Sequence, residues 1–186
     1  MKIHKRTGSG RILNGILALL VLMGMNICVN AEEAVELGRG TYYQRVAQDR
    51  RDTVQKMIEV LNETDSTVVQ KVEAIRVLGL YRAPEAIPTL IDKIGLPSRN
   101  ILTAMLPLRE LFPCLPALVN IGNLATQPLL ERLGGPASGR EERLLLLALC
   151  QIETLEYARL KLERSNSLDG QAEKRQRLLI LLDTLP

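Results

Sequence analysis

The chain has 186 residues, 46% apolar and 3% aromatic, with no tryptophan. That is room for one domain with a continuous core, which excludes a disordered chain, and a leucine-dominated apolar set favours helix packing over a strand-built sandwich. The formal charge of +3 comes from Lys2, Lys5, Arg6 and Arg11, which precede residue 32 where no Asp or Glu occurs. Without them 20 basic side chains face 21 acidic ones, so no clustered positive field is left to gather nucleic acid.

The four cations are followed by the apolar run Ile12 to Met23 and by Val29-Asn30-Ala31. This is the layout of a secretory signal with a small-residue cleavage site, and it predicts a signal peptide over 1–31 and a processed chain starting near Glu32. The apolar stretch from Ile12 to Val29 also approaches the length of a membrane span, so an uncleaved anchor is the competing expectation. Cys28 follows Asn26-Ile27 rather than the small residues that lipid attachment requires.

Residues 32–43 are polar, carry Gly38 and Gly40 and have no periodicity, which predicts a flexible lead-in. Gln44 to Asn62 places Val46, Val54, Met57, Ile58 and Leu61 largely on one side, as an amphipathic first helix does. Thr67 and Gln70 have capping-box spacing, and Val68, Val72, Ile75 and Gly79 continue as the stripe of a second helix that closes at Leu78-Gly79. Pro84 suits the first turn of a third, with Ile87, Leu90, Ile91 and Ile94 buried.

A pair of helices this short cannot bury its own faces, which predicts a stacked neighbour. The neighbour is legible. Ala74-Ile75-Arg76-Val77-Leu78-Gly79 followed by Ala86 to Gly95 is echoed by Ala117-Leu118-Val119-Asn120-Ile121-Gly122 followed by Ala125 to Gly134, with a shorter turn in the second copy. A degenerate third copy follows. Ser138 and Glu141 offer a second capping box before Leu144 to Ile152, and Leu155, Ala158, Leu160 and Leu162 mark the partner helix.

After a polar turn at Ser165 to Gly170, Gln171 to Leu185 forms a terminal helix. Leu178, Leu181, Leu182 and Leu185 face inward there, and Lys174, Arg175 and Arg177 outward. From Ser98 to Pro116, Pro107, Pro113 and Pro116 interrupt a leucine-rich run, either as the kink of a first helix or as an irregular insertion.

These residues resemble the HEAT-like repeats of many bacterial proteins, in which an Ala-rich first helix ends in Leu-Gly and a second helix carries Ala-x-x-x-Leu with an early proline. The resemblance covers roughly residues 67 to 164. It implies an all-α fold, a short right-handed α-solenoid of antiparallel helix pairs over 44–186, and a binding scaffold. The repeated positions are core positions, so they do not specify a function.

The only histidine, His4, lies in the leader, which leaves no imidazole in the processed chain for acid–base work or metal ligation. Cys114 and Cys150 are too few for a structural zinc site. They either pair, if neighbouring helices bring their Cα atoms within about 7 Å, or act as buried hydrophobes. Glu110, Glu141, Glu142, Glu153 and Glu156 fall among Arg109, Arg140, Arg143 and Arg159 at helical spacing, which predicts solvated, ion-paired faces.

The expectation is therefore an exported, non-catalytic scaffold without a cofactor, periplasmic or extracellular. It binds another protein or peptide, not nucleic acid, and meets a membrane only if the leader is uncleaved. The expected contacts are the non-core residues of the second helices, Glu85, Thr89, Asp92, Lys93, Gln127, Glu131 and Arg132. The competing expectations are a membrane-tethered structural subunit of an envelope assembly and a ligand-handling protein similar to bilin lyases, which the scarcity of aromatics opposes.

Overall fold

The computed structural model describes residues 40–98 and 107–185. The expected leader, with His4 and Cys28, most of the lead-in, residues 99–106 and Pro186 lie outside the described residues. The chain forms two compact units, Met1–Asp49 and Arg50–Pro186. All regular structure among the described residues is helical, and none of these helices is long and apolar enough to cross a membrane.

Helix α1 runs over 40–62, so the lead-in expected through residue 43 is corrected for its last four residues. Thr41 to Gln48 contain neither proline nor glycine, and nothing local stops the helix. In the first unit Tyr42 and Tyr43 are exposed and meet edge to face at 5.8 Å. Val46, expected inward, is exposed as well.

In the larger unit the remainder of α1 buries Val54 and Leu61, with Met57 and Ile58 half-buried beside them. Helix α2, Val68–Leu80, starts at the expected capping box. Gln70 N donates to Thr67 Oγ1 at 3.3 Å and Thr67 N to Gln70 Oε1 at 2.8 Å, so two orphan backbone donors are satisfied. Its buried face is Ala74, Ile75, Leu78 and Gly79. Val68, placed on the stripe by spacing alone, is exposed because it sits at the free end of the helix.

The end of α2 is closed by Ala83 N donating to Leu78 O and Arg82 N to Gly79 O, both at 3.1 Å, with Arg82 at φ 47°. This is the Schellman pattern, here with arginine in the left-handed position that glycine usually fills. Arg50 Nη2 donates to Tyr81 O at 3.1 Å and covers another terminal carbonyl.

Pro84 opens a 3-10 turn, Pro84–Ala86, that leads into α3, Ile87–Asp92. Ile87, Leu90, Ile91 and Ile94 are buried as expected.

Pro107, Pro113 and Pro116 begin helices and break none. Pro107 precedes the four-residue α4, Leu108–Leu111, and Pro113 precedes α5, Cys114–Ile121. Pro116 falls in the first turn of α5, where its missing N–H leaves no bond unmade. A second 3-10 turn, Gly122–Ala125, joins α5 to α6, Thr126–Gly134.

Helices α7, Gly139–Ile152, α8, Leu155–Glu163, and α9, Ala172–Asp183, complete the unit. The capping box expected at Ser138 and Glu141 is formed, and Thr154 caps α8. Leu155, one of the residues that marked this helix in the sequence, is exposed at its first position.

Helix α2 lies against α5 and α5 against α7, while α3 lies against α6, and α9 closes on α7 and α8. Glycine permits the close approach of α2 to α5, since a Cβ on Gly79 would come within 2.8 Å of Ala117 Cα. Cys114 is fully buried and free, its thiol donating to Lys93 O at 3.3 Å, and burial pushes it up to about 12. Cys150 is also free and half-buried, so the two thiols are not joined.

Candidate functional site

Of the seven residues expected to form one contact row, the structure brings Asp92 to Arg132 and Gln127 to Glu131. Glu85 stands on the 3-10 turn, exposed, with its carboxylate 3.8 Å from Arg50. Thr89 is half-buried in α3, and Lys93 lies just past its end, half-buried, with its carbonyl taken by Cys114. Asp92 and Arg132 are brought together across α3 and α6 at 3.9 Å, and Arg132 also lies 4.0 Å from Glu141 on α7. Gln127 Nε2 donates to Glu131 Oε1 one turn on, at 3.1 Å.

Of the seven, Gln127 lines an open groove of about 570 Å³ between α6 and α8. Gln127 and Leu130 on α6, and Tyr157 and Leu160 on α8, lie three residues apart on one helical face each, while Asn123 comes from the 3-10 turn before α6 and Arg164 caps the end of α8. Thr126 and Lys161 complete the walls, and Ser165 and Asn166 close the end where the chain leaves α8.

One carboxylate fixes the wall geometry. Glu153 Oε1 accepts from Lys161 Nζ at 2.6 Å and from Thr126 Oγ1 at 2.9 Å, which ties α8 to the first residue of α6. The Lys161 hydrogen bond holds the Glu153 carboxyl below its ordinary value of 4.5, against the opposing effect of burial. Lys161 is thereby neutralised, and of the two cations lining the groove Arg164 has no ion pair among the described residues.

The lining thus offers an apolar floor at Leu130, Leu160 and Tyr157 and the carboxamides of Asn123, Gln127 and Asn166, each able to donate and accept. Among the lining residues there is no carboxylate, imidazole or thiol. Tyr157 and Arg164 lie outside the expected row because the third repeat copy is degenerate, although their helical spacing was readable.

The expected solvated carboxylate faces need one correction. Glu142 is buried, and Arg177 Nη2 donates to its Oε1 at 2.6 Å. The cations of α9 read as simply outward are engaged too. Lys174 donates to Gly135 O, and Arg175 Nη2 to Ser165 O at 3.3 Å and to Asp169 Oδ1 at 3.0 Å. Comparison of the chain with family models, curated proteins and solved structures finds no match.

Proposed function

We propose that this chain is an exported, non-catalytic HEAT-like scaffold that binds a protein or peptide segment in the groove between α6 and α8. The observation that carries the reading is the groove itself, an apolar floor rimmed by carboxamides and one unpaired guanidinium. Carboxamides match the alternating donors and acceptors of a peptide backbone, and an apolar floor with Tyr157 supplies an anchor pocket.

The repeat reading is supported by the order of packing. The stacked helices α2 and α5 carry the first halves of the two sequence copies, and α3 and α6 carry the second halves. Neighbours that bury each other's faces in this order are what a stack of helix pairs requires. Export is supported by the cations, the apolar run and Val29-Asn30-Ala31 at the start of the sequence.

The test is a pull-down from the envelope fraction of the source cell, with the partner identified by mass spectrometry and its affinity then measured for Tyr157→Ala and Arg164→Glu. Loss of about tenfold or more in either variant, with the helical spectrum intact, supports the reading. Unchanged affinity in both refutes the groove. The length of Ile12 to Val29 favours a second reading, a membrane-tethered subunit, and the intact mass of the recovered chain separates the two. A chain starting near Glu32 supports the exported scaffold.

A further inference from the structure

A second groove, of about 420 Å³, lies among α4, α7 and the end of α9. Helix α4 and the residue after it supply Leu108, Leu111 and Phe112. On α7, Arg140, Arg143, Leu144 and Leu147 fall on one face at spacings of three and four, and Thr184 and Leu185 close the end. Phe112 and Leu144 are buried, while Leu111, Leu147 and Leu185 are only half-buried, so the groove keeps an uncovered apolar wall.

The charge at its edge has one sign. The Arg140 guanidinium lies 4.9 Å over the Phe112 ring, which holds it at the mouth. Arg143 is exposed and has no ion pair among the described residues. An adjoining hollow shares Arg140, Arg143 and Thr184 and adds Arg177 and Glu142, which are bonded to each other. Glu141 is turned to Arg132 at 4.0 Å. Arg140 and Arg143 therefore remain as two uncompensated positive charges beside an apolar slot.

We infer that this groove binds a single-chain aliphatic carboxylate, its chain against Leu111, Phe112, Leu144, Leu147 and Leu185 and its carboxylate on Arg140 and Arg143. Guanidinium forks match a carboxylate bidentately, and the volume falls within the range of about 300–1,000 Å³ of small-molecule sites. A docked protein helix is the poorer occupant. It needs a face several turns long and about 800 Å² per partner, and the wall here is five leucines and one phenylalanine.

The test is calorimetric titration of the full chain with dodecanoate below its micellar concentration at neutral pH. Saturable binding at one site is expected, with dodecanol about tenfold or more weaker because its single neutral oxygen lacks the charge and the bidentate geometry of a carboxylate. The pair Arg140→Ala and Arg143→Ala weakens dodecanoate by a similar factor, and Leu147→Trp, which fills the slot, removes binding. Arg143→Gln serves alone if the pair loses its helical spectrum. Unchanged binding in the arginine variants would place the ligand elsewhere, for instance on Ile12 to Val29, and overturns the inference. Equal affinity for dodecanol, or no saturable binding, does the same, as does an acidic amphipathic peptide that binds where dodecanoate fails to compete.

Discussion

Arg177 on α9 donates to the carboxylate of Glu142 on α7 at 2.6 Å, and the two partners differ sharply in exposure, the Glu142 side chain at 5% and that of Arg177 at 63%. Removing the exposed partner leaves a buried charge with no counterion, whereas removing the buried one leaves a guanidinium already in water. Arg177→Met is expected to destabilise the protein by about 1–3 kcal/mol, less than a fully buried pair would lose because solvent screens the arginine. Glu142→Met is expected to cost less, about 1 kcal/mol or under. Urea unfolding of both variants checks this, and a larger loss for Glu142→Met would contradict it.

Arg82 occupies the left-handed position of the turn that ends α2, at φ 47°. An L side chain there costs about 1–2 kcal/mol, and glycine gives back about half of that gain through its larger unfolded-state entropy. Arg82→Gly is expected to raise stability by about 0.5–1 kcal/mol, read as a higher midpoint in urea. A fall in the midpoint would mean that the Arg82 side chain stabilises the fold through contacts of its own.

Gly79 and Gly134 sit in helices, where alanine ordinarily stabilises by about 1 kcal/mol. Here the sign reverses. A methyl on Gly79 meets the Ala117 backbone, and one on Gly134 runs into the Ser167 carbonyl. Each Gly→Ala is expected to cost about 1–3 kcal/mol by overpacking. Gly139, at the start of α7 with nothing within 4 Å of a Cβ, supplies the control, and Gly139→Ala is expected to be neutral or stabilising. If all three variants melt alike, close approach is not what fixes these glycines.

The features read correctly from sequence are those decided within one helical turn. The Thr67–Gln70 and Ser138–Glu141 boxes depend on three-residue spacing and formed as read, and the strong stripe of Ile87, Leu90 and Ile91 is buried as read. Val46, Val68 and Leu155 fit an apolar period and are nonetheless exposed. Periodicity tells which residues share a face but not whether a neighbour reaches that far along the helix. Glu142 was illegible because its partner lies 35 residues on. The α6–α8 groove was half legible, since Gln127 came from a clear repeat copy and Tyr157, Leu160 and Arg164 from a degenerate one.

Glu153 gives the groove a pH dependence of known sign. Its carboxyl is held below 4.5 in the folded protein, chiefly by the Lys161 hydrogen bond, so on acidification the unfolded chain takes up this proton first. The stabilisation is complete above the unfolded value and is lost as pH falls through the lowered folded one. Lys161 is more than a third exposed, so the contribution is discounted to on the order of 1 kcal/mol at neutral pH. Glu153→Gln is expected to lower the melting temperature by about 3 °C at pH 7 and by progressively less below pH ~4. Calorimetric melts of both proteins across that range check it. A difference that stays constant with pH would assign Glu153 to packing alone, and the Thr126–Glu153–Lys161 tie would then not depend on charge.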